Sequence, residues 1–204
     1  MFDISDLRCH PAVPCAAVHA LHAGTCVLAD GGLQLRFQLQ GKIDALCIPQ
    51  HRQAACASLI DQRDELWRHT CFEAFVATSE SSAYREYNFS PSGHWAAYAF
   101  TDYRQRDMAW RPVQAPKMTF ACTADDVLLD VHIPAALLPT LSPDTAGAPI
   151  ALDVGLTAVI EASDGTLSYW ALTHPGTRPD FHQRTAFIVR VAYDTVSHPE
   201  SDQP

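Results

Sequence analysis

Positive charge is scarce in this chain. Fourteen Lys and Arg stand against twenty-three Asp and Glu, a net charge of −9 at neutral pH, so nothing favours phosphate backbones or anionic membranes as partners. Long apolar runs are missing as well: none approaches the roughly 20 residues that cross a bilayer, and "MFDISDLRCH" carries early acids with no apolar stretch behind it. The expectation is a cytoplasmic protein that binds neither membrane nor nucleic acid. The seven cysteines, at 9, 15, 26, 47, 56, 71 and 122, contain no C-x-x-C pair, which argues against a disulfide framework or a zinc ribbon and for small buried hydrophobes. No P-loop, dinucleotide fingerprint, G-x-S-x-G elbow or H-E-x-x-H helix is present, and the pairs His19/His22 and His174/His182 have no ligand spacing on a helix. No metal is expected.

Alternation is what the sequence does have. "GLQLRFQLQG" (32–41) sets Leu33, Leu35, Phe37 and Leu39 against Gln34, Arg36, Gln38 and Gln40, and "VLLDVHI" (127–133) repeats the pattern. "IDALCI" (43–48) is expected to pair with the first of these. Around Asp164-Gly165, "ALDVGLTAVIEASDGTLSYWAL" predicts two strands joined by a two-residue turn, with Glu161 opposite Ser168 and Val159 opposite Trp170. "AFIVRVAY" is the last strand, and the only helix expected is a turn or two in "PAALLPTL". Many short strands and almost no helix predict one all-β domain over 1–196, a two-sheet antiparallel β-sandwich, with a frayed tail at 197–204.

Cys71 to Thr101 reads as a three-strand meander with turns at 79–82 and 91–93. Closing Thr78 on Ala83 sets Glu73 opposite Asn88; closing Phe89 on His94 sets Asn88 opposite Trp95, Glu86 opposite Ala97 and Tyr84 opposite Ala99. One face then carries Glu73, Glu86, Asn88, Tyr84 and Trp95 above small alanines, a polar hollow. Burying an acid and an amide is costly without partners. Those partners are either internal (Arg68, Arg85 or Arg104 for Glu73, with Asn88 capping a turn) or the hydroxyls of a ligand.

"LWRHTCFEAF" (66–75), "YREYNFSPSGHWAAYAF" (84–100) and "GLTAVIEASDGTLSYWALTHPGTRPDFH" (155–182) resemble the DOMON-like superfamily, in particular bacterial proteins similar to family 9 carbohydrate-binding modules, including a domain found fused to UDP-N-acetylenolpyruvoylglucosamine reductase. The resemblance spans about Leu33 to Val191 and implies an immunoglobulin-like or jelly-roll sandwich that binds a small polar ligand, a saccharide or sugar derivative, without catalysis. It implies stacking by Trp67 and Trp170, hydroxyl recognition by Glu73 and Asn88 beside Glu86 and Trp95, and orientation by Arg68 and Arg85, which would also meet an anionic sugar. The loop "THPGTRPDFHQR" would close over the site with His174, Arg178, Asp180 and His182. Two alternatives stand beside it: a haem-binding branch drawing on Met108, Met118, His69 or His174, and a protein–protein assembly face. An enzyme would have to use Cys71, between His69 and Glu73, and a mid-strand cysteine is usually packed rather than reactive.

Overall fold

Period-two alternation builds the smaller of two sheets. In the computed structural model, which describes residues 3–49, 61–79, 81–139 and 150–193, strand β4 (Leu33–Gly41) buries Leu33, Leu35, Phe37 and Leu39 completely. β10 (Asp126–Ile133) does the same with Val127, Leu129, Val131 and Ile133. The two pair antiparallel from Leu33 opposite Ile133 to Gln40 opposite Asp126. On the other face Arg36 forks onto Asp130, its Nε and Nη2 donating at 2.6 and 2.8 Å. β1 (Asp3–Asp6), β3 (Val18–Val27) and β9 (Lys117–Cys122) complete five strands in the order β1-β3-β4-β10-β9.

The larger sheet runs β2-β12-β11-β5-β6-β7-β8. Its strands are β2 (Arg8–Cys9), β5 (Cys71–Thr78), β6 (Tyr84–Phe89), β7 (Trp95–Asp102), β8 (Gln105–Arg106), β11 (Ile150–Glu161) and β12 (Leu167–Ala171). β11 is long enough to hold two neighbours on one edge, β13 (Val189–Tyr193) along its first residues and β12 along its last. Every pairing between named strands is antiparallel. The fold is the all-β two-sheet sandwich that the strand pattern predicts.

The main core lies between the sheets, where Phe37 meets Phe72 at 5.3 Å between ring centroids and Val76, Tyr87, Phe89, Trp95, Leu156 and Ile160 join them. Burying such a side chain stabilises by about 1.5–3 kcal/mol. A second, smaller cluster forms on the outer face of the larger sheet, where Phe75, Tyr84, Phe100 and Val159 are covered by Phe181 and Phe187.

Two expectations about elements differ. "IDALCI" does not pair with β4: Ile43–Ala45 is a 3-10 turn and Leu46 bridges to Ala162, because β3 and β10 already occupy both edges of β4. The helical turn in "PAALLPTL" is a 3-10 turn at Ala135–Leu137; its last two residues and the 197–204 tail lie outside the described residues.

Candidate functional site

The outer face of the larger sheet assembles from facing pairs. Across β5 and β6, Glu73 faces Asn88 and Phe75 faces Glu86. Across β6 and β7, Glu86 faces Tyr98 and Tyr84 faces Phe100. β11 sets Thr157 opposite Glu73, and β12 sets Tyr169 opposite Val159. Two connections stand over this face. One carries the 3-10 turn Leu66–Arg68, entered through Glu65 at a left-handed φ of 61°; the other is the polar, proline-punctuated segment 173–188. Between them and the sheet lies a cavity of about 620 Å³. Glu73, Glu86, Phe75, Tyr98, Phe100 and Tyr169 line it from the sheet, and Asp64, Trp67, Asp180, Phe181 and His182 from the connections.

Two buried carboxylates define its chemistry. Glu73 is 2 % exposed; its Oε2 accepts the Thr157 hydroxyl at 3.4 Å, and its Oε1 has no hydrogen-bond partner. Burial, and then the charge of Glu86, hold its proton well above the usual carboxylate range. Glu86 is pushed up to about 7 by burial, against the opposing pull of the Asn88 amide and of Arg104 and Arg106. Asn88 Nδ2 donates to Glu86 Oε1 at 2.7 Å.

His182 is wedged between Phe75 and Phe100, at 5.2 and 5.1 Å between ring centroids. Burial and Arg104 lower it to about 4, so the ring is neutral. The Tyr84 hydroxyl accepts the Arg104 backbone N–H at 3.1 Å and is hydrogen-bonded to His182 Nδ1 at 2.8 Å. His182 Nε2 lies 3.7 Å from Glu86 Oε2. Arg104 in turn donates to Asp180 at 2.9 Å, and Tyr98 to Asp64 at 2.8 Å.

Of the residues singled out in the sequence, Trp67, Glu73 and Glu86 line this cavity, and Trp67 is 44 % exposed. Asn88 lies fully buried, bonded to Glu86. The two other tryptophans are corrections. Trp95 faces Phe89 rather than Asn88, and Trp170 faces Ala158 rather than Val159; both belong to the core between the sheets, where Trp170 Nε1 donates to Ser168 at 3.0 Å. Arg85 is on that inner side too, donating to the Leu137 and Leu138 carbonyls and lying over Trp110. Arg68 is not among the lining residues; it donates to Glu65 at 2.8 Å and lies over the Trp67 ring, and His174 meets the Arg8 carbonyl at 2.8 Å and the His10 ring. The hollow is walled by aromatics, not by alanines.

The same slip hid Tyr98, Phe100 and Tyr169. Both turns hold three residues, where closing Phe89 on His94 had left four in the first and Asp164-Gly165 had made two of the second: Ser90 N–H donates to His94 O and Ala162 N–H to Thr166 O, with Gly93 and Gly165 at φ 90° and 84°. Each one-residue miscount, in either direction, shifts the next strand by one position and turns its side chains to the opposite face. The signal was in the sequence, a glycine as third residue of Pro-Ser-Gly and Ser-Asp-Gly.

Other proposed chemistry finds no geometry. Cys71 is completely buried, and desolvation, followed by Glu73, raises its thiol well above the ordinary range, the opposite of an activated nucleophile. His69 bonds Glu161 at 2.8 Å, Met118 packs against the main core and Met108 is exposed, so these and His174 do not form an axial pair. Among the described residues no group of three His, Cys, Asp or Glu could hold a metal ion.

The fold and this site together define a class: a β-sandwich with an aromatic-walled, acid-floored cavity on the outer face of one sheet. No protein-family model and no curated protein matches the sequence. Solved structures are similar to this chain. A candidate carbohydrate-binding protein from Bacteroides uniformis ATCC 8492 superposes with a TM-score of 0.56 at 11% identity, covering 94% of this chain and 86% of that one. A family 9 carbohydrate-binding module from Caldicellulosiruptor kristjanssonii in complex with cellotriose gives 0.47 at 10% identity, over 95% of this chain and 87% of the other. In complex with glucose, a family 9 module from that organism gives 0.45 at 10%, over 91% and 83%.

Proposed function

We propose that this chain is a non-catalytic module that binds a small hydroxyl-rich ligand, a saccharide or sugar derivative, in the cavity over the larger sheet. The observation that carries the reading is Glu73: a carboxyl group at the cavity floor, 2 % exposed, with one oxygen lacking any donor. Leaving such an acceptor unpaired costs about 1–3 kcal/mol, and a ligand hydroxyl would relieve it. Trp67, Tyr98 and Tyr169 offer aromatic faces for the apolar side of a sugar ring. The Bacteroides uniformis protein that shares the fold is a candidate carbohydrate-binding protein, and saccharide binding is what this reading carries across. Within it, the DOMON-like resemblance of "TCFEAF" and "YNFSPSG" is the finer assignment.

A thermal-shift and calorimetric screen of glucose, cello-oligosaccharides, hexosamines and nucleotide sugars tests it, since a ligand that prefers the folded state raises the melting temperature. Glu73→Gln keeps the shape of the protonated carboxyl, so the variant should melt within about 3 °C of the wild type while losing roughly ten- to hundred-fold in affinity. A screen without a hit, or a hit indifferent to Glu73, would remove the proposal.

A further inference from the structure

Charge around the cavity does not cancel. Arg104 is tied to Asp180 at 2.9 Å, and Arg106 lies 3.9 Å from Asp64. Glu65 is held by Arg68 at 2.8 Å. Glu73 and Glu86 are left over. No cation figures among the influences on Glu73, only burial, the charge of Glu86 and the Thr157 hydroxyl. The ion pair that reaches Glu86 comes from His182 at 3.7 Å, a ring that is neutral near pH 7.

Two carboxyl groups therefore share a hollow that Arg104 and Arg106 also line, but among the described residues neither acid is ion-paired to an arginine, both arginines being held by Asp180 and Asp64. Like charges so placed disfavour joint ionisation. The walls strengthen the case, because Phe75, Tyr98, Phe100 and Tyr169 line the same space, and aromatic faces attract a desolvated cation. The two arginines near enough to act on Glu86 are already engaged, Arg104 with Asp180 and Arg106 over the Tyr98 ring at 4.2 Å. An anionic sugar would meet two acids, with the lining arginines already engaged. A neutral sugar would supply hydroxyl donors but no charge, leaving the second carboxylate as costly as before.

We propose, building on the saccharide reading above, that the cavity selects ligands bearing a protonated amine, a hexosamine in its free-amine form, whose ammonium group is received by Glu73 and Glu86. The Glu73 oxygen without a donor then gains a charged one. Binding of the cation must also drive a proton off one of the two carboxyl groups, so complex formation releases it into the buffer.

Titration calorimetry of the full chain at pH 6.5, in two buffers of different ionisation heat and neither a primary amine, tests this. Glucosamine or galactosamine should bind at least about ten-fold tighter than glucose, N-acetylglucosamine or glucuronate, with release of roughly one proton per ligand. Glu73→Gln and Glu86→Gln should each bring the amine-to-glucose affinity ratio to within about two-fold of unity. Two variants guard against one that fails to fold, and the melting curve of each reports that directly. If glucose binds as tightly as glucosamine, or the amine binds without proton release, the ammonium seat is wrong while the saccharide reading stands. If ethanolamine binds with proton release and no sugar binds, the seat stands and the saccharide reading falls. If none of these probes binds, both fall.

Discussion

Glu86 and His182 lie 3.7 Å apart, yet burial drives them away from a full ion pair, the acid up to about 7 and the imidazole down to about 4. The two shifts act oppositely on stability. Folded Glu86 keeps a proton that the unfolded chain has lost above about 4.5, so its contribution is whole below that pH and is lost as pH rises through about 7. Folded His182 refuses a proton that the unfolded chain takes up below about 6.5, so its contribution is present above that pH and is lost as pH falls through about 4. Between roughly pH 4.5 and 6.5 they offset one another. Glu86→Gln removes the first effect alone. The variant should therefore match the wild type at pH 4.5 and gain on it steadily to pH 7.5, by as much as about 3 kcal/mol, in denaturant or thermal melts. Parallel curves across that range would mean that Glu86 does not carry a buried proton.

At the scale of elements, three hairpins share one device. Leu28, Ser90 and Ala162 each begin a three-residue loop that closes through paired backbone bonds and ends on a glycine with positive φ, Gly31, Gly93 and Gly165. The left-handed glycine lets the strand resume with its twist intact. At Gly165 a Cβ would meet nothing within 4 Å, so crowding does not enter and only the backbone conformation is at stake. Gly165→Ala should cost about 1–2 kcal/mol in an equilibrium unfolding curve, with ligand affinity unchanged; a neutral substitution would contradict the turn. This device also explains the limits of the sequence reading. The Glu73–Asn88 pairing was legible because the 79–82 turn was counted correctly. Trp95 and Trp170 were misplaced because the turn before β7 was counted one residue long and the turn before β12 one residue short.

Over the whole molecule, two apolar clusters divide the labour. The inner one, sealed between sheets, holds Phe72 at 0 % exposure, whereas Phe181 at 9 % belongs to the outer cluster that also walls the cavity. Phe72→Ala should cost about 3–5 kcal/mol and lower the cooperative unfolding transition of the entire sandwich. Phe181→Ala should cost less than half of that while weakening ligand binding, and amides of 174–187 should exchange faster than those of β5. Equal losses from both, or protection of 174–187 as strong as that of β5, would show that the two clusters unfold as one.

By itself the sequence determined the architecture, since strand alternation such as Leu33-Leu35-Phe37-Leu39 is local and leaves only packing sheet against sheet as a way to bury those faces. It also determined the acid–amide pair at Glu73 and Asn88, a consequence of one correctly counted turn. Which side of the larger sheet carries the cavity, and which aromatics wall it, was decided in three dimensions. Those outcomes depend on one-residue registers and on where two distant connections come to rest, the 61–69 segment and the 173–188 segment, and period-two patterning does not encode either.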